Sequence, residues 1–289
     1  LNWLKKVKDE FGFKTATEVA NAHHVYAALE ADVDILWIGA RSTVNPFTVQ
    51  EIAVALKGTN KPVLVKNPVN PDLALWIGAL ERLLGQDVKN LGVIHRGFSS
   101  YQKTKYRNLP NWQIALDFKH QYPNIPMFVD PSHICGRRDL LSDVTQEAFN
   151  VGYEGAMIES HCNPDAAWSD AAQQITPEVL AEMLGNLQIR NSDISGFDEE
   201  MGKHRALISD IDFQLIELLS NRMKISEKIG ALKKENNIAI FQPDRWKVIA
   251  EYASARAEES GMGKDFIEKV FKAIHEESIE VQNNIMIDK

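Results

Sequence analysis

KPVLVKNPVNPDLALWIGALERLLGQDVKNLGVIHR, residues 61–96, decides the fold of the first two thirds of the chain. Two short apolar runs, 62–66 (PVLVK) and 91–95 (LGVIH), enclose a helical pattern at 71–84. The runs are continuously apolar rather than alternating, as in strands buried on both faces of a parallel sheet. Parallel neighbours need a long crossover between them, and the intervening helix supplies it. Outward from this unit the same rhythm recurs. Further candidate strands are 15–19, 35–39, 126–130 and 155–159, and further helical patterns lie near 21–31, 45–57, 109–121, 139–151 and 176–188. Such alternation calls for a parallel α/β fold.

The ends of the runs choose between an open sheet and a barrel. At or just past each C-terminal end stand ionisable groups: Glu18, Arg41, Lys66, Arg96, Asp130 with His133, and Glu159. In a closed barrel these ends meet at one mouth, where active sites sit. In an open sheet the outer strands would point theirs at nothing in common, so a TIM-type barrel is favoured. Arg41, Lys66 and Arg96 point to a phosphorylated or carboxylated substrate, because guanidinium forks match such groups and lysine adds a point charge. Any one of them could simply pair with a neighbouring acid; three at equivalent strand ends favour the anion site. His133, Glu159 and Asp170 combine an imidazole with two carboxylates, a set suited to a divalent transition metal. Their spacing resembles no compact zinc motif, and on spacing alone helix caps and surface acids are the stronger reading.

After a polar stretch around 190–198 the rhythm changes, which places the domains at 1–190 and 191–289. Residues 201–235 form one long helical pattern with Ile208, Ile211, Leu215, Leu219, Ile229 and Leu232 along one side. A loop at 236–241 leads to Pro243 in a first helical turn, and helices follow at about 243–259 and 264–286. Arg205, Asp212, Arg222 and Lys233 share the broad face of that apolar stripe, and Ser278 and Gln282 continue the stripe of Phe271 and Ile274. Cations within an apolar stripe cost free energy unless they meet a partner, so an enclosed site for a small dianion is expected. Snorkelling at a core edge is the alternative, and for Ser278 alone the better one. Arg205 and Arg222 are 17 residues apart, roughly 25 Å along a helix. No ligand of about 10 Å spans that rise of roughly 1.5 Å per residue, so an Arg205 serving the same pocket must come from a second chain.

Composition narrows the function classes. The 289 residues carry a net charge of −8, which argues against a nucleic-acid or anionic-membrane surface. No apolar run is long enough to span a bilayer and no signal-peptide pattern is present. Two cysteines, Cys135 and Cys162, are too few for a disulfide framework, so a cytoplasmic setting is expected. Leu1, Leu4 and Val7 already mark one face of an amphipathic helix, which is expected of a fragment opening inside a helix.

The segments IGAR (38–41), KPVLVKNPVN (61–70), HRGFSSY (95–101), YRNLP (106–110), DPSHICGRRDL (130–140) and ESHCNPDAAWSDAAQQ (159–174) resemble 3-deoxy-D-arabino-heptulosonate 7-phosphate (DAHP) synthase over essentially all of residues 1–188. The resemblance implies a (β/α)8 barrel that condenses phosphoenolpyruvate with erythrose 4-phosphate in aromatic amino-acid biosynthesis. It further implies that Arg41, Lys66 and Arg96 hold phosphoenolpyruvate, with Arg107 a further candidate, and that His133, Glu159 and Asp170 bind a divalent metal, Mn2+ or similar. The family's GPCS-type segment, with a fourth metal ligand, and its KPRT-type segment are absent, so a barrel lacking its first two strands and a weakened synthase are expected.

Residues 201–286 resemble the all-helical chorismate mutases, whose intertwined dimer builds each pocket from both chains. The matching positions are Arg205 (from the partner), Arg222, Lys233, Arg245, Ser278 and Gln282. The resemblance departs at Trp246, where the family often has a glutamate contacting the substrate hydroxyl. Rearrangement of chorismate to prephenate needs no nucleophile, proton transfer or cofactor, only a held reactive conformer and charge stabilisation at the breaking ether. A bifunctional homodimer acting on three small molecules is therefore expected; the alternative is a monofunctional mutase whose barrel is a regulatory or assembly module.

Overall fold

The computed structural model describes residues 1–101, 103–190 and 197–287. Contacts divide the chain into two compact units, Leu1–Asp193 and Ile194–Lys289. The boundary expected at 190/191 abuts residues 191–196, which lie outside the described residues.

In the first unit six parallel strands follow one another in sequence order: β1 (Ala16–Val19), β2 (Ile35–Ile38), β3 (Val63–Lys66), β4 (Leu91–His95), β5 (Met127–Val129) and β6 (Gly155–Ala156). The register runs Ala16 to Ile35, Leu36 to Val63, Val63 to Leu91, Val93 to Met127 and Phe128 to Gly155. Strictly sequential order is barrel winding; a doubly wound sheet reverses direction at a switch point. Right-handed crossovers then put every connecting helix on the same face. The helices are α1 (Asn2–Phe11), α2 (Ala22–Glu30), α3 (Ala40–Thr43), α4 (Pro46–Leu56), α5 (Leu73–Leu84), α6 (Trp112–Gln121), α7 (Pro131–Cys135), α8 (Leu141–Asn150) and α9 (Pro177–Asn186). Around this face α2 packs on α4, α4 on α5, and α5 on α6. Among the described residues β1 and β6 do not pair with each other, so the six strands form an open arc of a TIM-type barrel.

The core lies between strands and helices, where Leu36, Ile38, Val63, Val65, Val93, Met127 and Val129 meet Ile52, Trp76, Leu83 and Phe118. Local chemistry sets the helix starts. Asn45 accepts from the backbone amides of Phe47 and Thr48, Asp72 from Leu75 and Thr176 from Val179, and proline occupies the first turn at 46, 131 and 177. The helix expected at 45–57 is α4, and a short helix that the sequence reading did not expect, α3, precedes its Asn45 cap. The strand expected at 155–159 is shorter, because past Met157 the backbone turns to a different partner: Ile175 donates to the Glu159 carbonyl at 3.2 Å and His161 donates back to Ile175 at 2.9 Å.

The second unit is three helices, α10 (Asp198–Glu235), α11 (Pro243–Glu259) and α12 (Lys264–Ile287), with α12 packed on both others. Its apolar core is small: Ala253, Ala257 and Ile267, with Phe271 against them. On α10 only Ser226 and Gly230 are buried, and every residue from 202 to 221 is exposed in a single copy. The apolar stripe of Ile208, Ile211, Leu215 and Leu219 is therefore uncovered by the chain's own helices, because α12 engages the C-terminal half of α10. No described helix is long and apolar enough to cross a membrane.

Candidate functional site

The strand-end groups do converge. A cavity of about 250 Å³ at the C-terminal ends of the strands is lined by Glu18, Arg41, Lys66, Arg96, Arg107, His133 and Asp170. Lys66 ends β3 and donates to Asp130 at 2.7 Å, both side chains buried. Asp130 also caps α7 and meets the Nδ1 of His133 at 2.8 Å. Burial pushes its carboxyl up, but His133 and Lys66 more than offset that and hold it below the usual carboxylate range. Arg96 follows β4; its Nη1 donates to Asn108 Oδ1 at 2.7 Å, and its backbone amide donates to Asn67 Oδ1 at 2.7 Å. Burial, then Arg107 and Arg41, oppose the Arg96 charge, with Asp130 supporting it, so the guanidinium sits below its ordinary range. A buried cation disfavoured by other cations is the electrostatic signature of a place prepared for an anion.

Arg107 reaches this mouth by a close approach. Gly136 lies in the left-handed region (φ 65°), and a Cβ there would stand 2.5 Å from the Cβ of Arg107. The guanidinium donates to Asp170 at 2.6 Å and to Gln173 at 2.7 Å. Beneath the Arg96 loop, His95 is fully buried: Tyr153 donates to its Nδ1 at 2.9 Å, and its Nε2–H donates to the Pro110 carbonyl at 2.6 Å. Burial drives its pKa down to about 4, so the ring is neutral.

His133 and Glu159 approach each other at 3.5 Å, but the Asp170 carboxylate is engaged by Arg107. Among the described residues no group of three His, Cys, Asp or Glu side chains could hold a metal ion. The donor chemistry of His133, Glu159 and Asp170 suits a transition metal, yet as placed the three do not form its site.

A second cavity, about 360 Å³, opens in the helical unit and gathers Arg222 and Lys233 from α10, Arg245 from α11, and Ser278 and Gln282 from α12. Arg222 contacts the Ser278 hydroxyl; Lys233 donates to Gln282 Oε1 at 3.0 Å and to the Ile240 carbonyl at 2.6 Å. Burial, then Arg245, lowers the Arg222 pKa, and burial lowers that of Lys233. Among the described residues no carboxylate lines the cavity. Gly230 allows the closest approach of α12, since a Cβ there would lie 3.1 Å from the Cα of Gln282. Arg205 is exposed and does not line the cavity of its own chain.

Residues 1–194 match the DAHP synthetase I family. The chain belongs to that family. Within this DAHP synthetase I chain, residues 204–283 match chorismate mutase type II. Phospho-2-dehydro-3-deoxyheptonate aldolase of Thermotoga maritima is 28% identical over 188 residues, covering 65% of this chain and 54% of the relative. The crystal structure of that DAHP synthase superposes with a TM-score of 0.57 at 27% identity, covering 64% of this chain and 52% of that one. The T-protein of Haemophilus influenzae is 28% identical over 87 residues, 30% of this chain and 23% of the relative. The chain thus spans about half the length of the Thermotoga protein. DAHP synthetase I proteins are generally metal-dependent enzymes of aromatic amino-acid biosynthesis.

Sequence reading missed Asn67, Asn108, His95 with Tyr153, and Gln173 at the mouth, and Gln242, Ser226, Gly230 and His275 in the helical unit. Asn67 and Asn108 lie within the segments KPVLVKNPVN and YRNLP and carry a signal. Gly230 and His275 carry none, being an ordinary glycine and histidine within helical patterns.

Proposed function

We propose that the barrel unit, residues 1–190, binds phosphoenolpyruvate and erythrose 4-phosphate in DAHP synthesis, and that the helical unit, residues 191–289, converts chorismate to prephenate. The observation that carries the mutase reading is the meeting of Arg222, Lys233, Arg245, Ser278 and Gln282, from three helices, at one cavity with no carboxylate among the described lining residues. Three fixed cations suit a dianion. Arg222 and Arg245 hold its carboxylates, with Ser278 orienting Arg222. Lys233 stabilises the negative charge that grows on the ether oxygen as its bond to carbon breaks, because a cation held in place beforehand needs no reorganisation at that moment. The amide of Gln282 has one N–H bonded to the Ser278 carbonyl at 3.1 Å and a second N–H left for the same oxygen.

Arg205 completes this site from a second chain. The exposed apolar residues of α10, among them Leu207, Ile208, Ile211, Phe213, Leu215 and Leu218, are what such a homodimer would bury. Conversion of chorismate by the purified chain tests the reading, and Arg222→Ala should lower kcat/KM by roughly 10- to 100-fold, the worth of a charged hydrogen bond. Unchanged turnover in that variant would remove the assignment.

At the barrel mouth Arg41, Lys66, Arg96 and Arg107 bind the phosphate and carboxylate of phosphoenolpyruvate. A divalent cation, Mn2+ or similar, belongs to this reading: His133, Glu159 and Asp170 are the residues that would hold it, and it would supply Lewis-acid polarisation of the aldehyde of erythrose 4-phosphate. Calorimetric titration with Mn2+ should show binding in the wild type and none in His133→Ala. A barrel that merely regulates or assembles is disfavoured by this convergence of cations. The cytoplasm is the compartment proposed.

A further inference from the structure

His275 lines the helical cavity from α12, one turn before Ser278. Its ring stacks on Trp246 of α11, centroids 4.5 Å apart and planes 21° from parallel, with Phe241 flanking it at 6.2 Å. Trp246 stands behind the imidazole, outside the cavity lining. The Nε2 of His275 is buried and has no hydrogen-bond partner. A buried polar atom left unpaired is costly, and a group that joins it recovers the loss. A half-turn about χ2 exchanges Nε2 with Cε1 and Nδ1 with Cδ2 without breaking the stack.

The other groups of the cavity explain what that nitrogen could meet. Arg222, Lys233 and Arg245 donate and cannot accept. The Ser278 oxygen already receives Arg222, and Gln282 Oε1 receives Lys233. Carboxylates of a ligand therefore find donors in excess. A ligand hydroxyl needing to give its proton finds the His275 ring, the Gln242 amide and the Ser226 hydroxyl among the described lining residues, and of these the His275 Nε2 is buried and unpaired. Burial, Arg222 and Lys233 hold the imidazole pKa below its usual value against the pull of Glu276. The ring thus stays neutral and keeps a lone pair.

We propose that His275 accepts the hydrogen bond of the substrate's ring hydroxyl, and that Trp246 is a positioning residue that seats the imidazole by stacking. The inference rests on the mutase reading and adds a specificity determinant to it. A hydroxyl contact made equally in the ground and transition states acts on KM rather than kcat.

The test uses the full chain with chorismate, and with chorismate lacking its ring hydroxyl as a competitor. His275→Phe keeps the stack and removes the acceptor; it should raise KM about tenfold, one hydrogen bond's worth, with kcat changed by less than about twofold. His275→Asn, which restores an acceptor, should recover most of the loss. The competitor should bind wild type and His275→Phe equally. Trp246→Leu should raise KM, and Trp246→Phe should rescue it. Wild-type KM in His275→Phe, or a penalty as large for the competitor as for chorismate, overturns the role of His275 while leaving the mutase assignment standing. Failure of the wild-type chain to convert chorismate overturns the mutase assignment itself, and the proposal with it.

Discussion

In the barrel unit Trp76, Phe98 and Phe118 are fully enclosed, whereas in the helical unit each residue from 202 to 221 lies open in a single copy. Both stretches are rich in large apolar side chains. The sheet brings helices to its own apolar face through the crossovers that connect its strands, so covering is local in sequence. A 38-residue helix has no such return path along its first half. Its neighbours α11 and α12 are consumed at the other end, and the cover must come from elsewhere. The two units thus differ in how an apolar surface is met: the barrel's is hidden by the chain's own winding, and that of α10 would be hidden by a second copy in the homodimer proposed above.

The sharpest way to break this comparison is to charge the open face. Ile211→Asp with Leu215→Asp, one turn apart and both exposed, should leave a monomer by sedimentation and reduce chorismate turnover to near background, because Arg205 then reaches no partner cavity. Calorimetry of the same variant should find the barrel's thermal transition unmoved.

Next in size is the buried pair of the barrel mouth. Asp130→Ala strands Lys66 without its partner, which should destabilise the barrel unit by about 3–5 kcal/mol in urea denaturation. A double replacement, Asp130→Leu with Lys66→Met, should cost less than the single one, since it leaves no uncompensated charge.

A smaller effect comes from His95. An ordinary imidazole protonates near 6.5, but burial lowers this one to about 4. Between those values the unfolded chain binds a proton that the folded chain refuses, so stability is full above pH 6.5 and falls as pH drops toward 4. The loss should be on the order of 3 kcal/mol over that window, and His95→Gln should show a flatter dependence. At the bottom of the scale, Glu199→Ala removes the exposed pair with Lys203 on α10 and should leave the urea midpoint unchanged.

The strands at 35–38, 63–66 and 91–95 were legible because burial on both faces leaves unbroken apolar runs, and their ends were legible because parallel winding stacks equivalent positions at one rim. That rim places Arg41, Lys66 and Arg96 at one cavity. The last strand was legible only in part: its sequence is apolar through Ile158, but what limits it is the backbone of Ile175, a partner 16 residues beyond Glu159 in the numbering. The helical site was legible where cations interrupt a stripe, at Arg222 and Lys233. His275 was not, because stacking and an unpaired nitrogen are properties of three-dimensional neighbours, and a lone histidine on a helix announces neither. The engagement of Asp170 by Arg107, rather than by His133 and Glu159, was equally silent, since carboxylate spacing says nothing of which counter-charge arrives first.

Gly136 carries a consequence for comparing related chains. Because the stem of Arg107 fills the space where any side chain at 136 would stand, the two positions cannot drift independently. A homologue that acquires even alanine at 136 must displace that arginine, and the anion grip proposed for it should weaken while the nearby strands keep their pairing. The identity of one small residue on the far side of a turn thus serves as an inexpensive readout, legible in a raw gene sequence, of whether a descendant has kept this arm of the site.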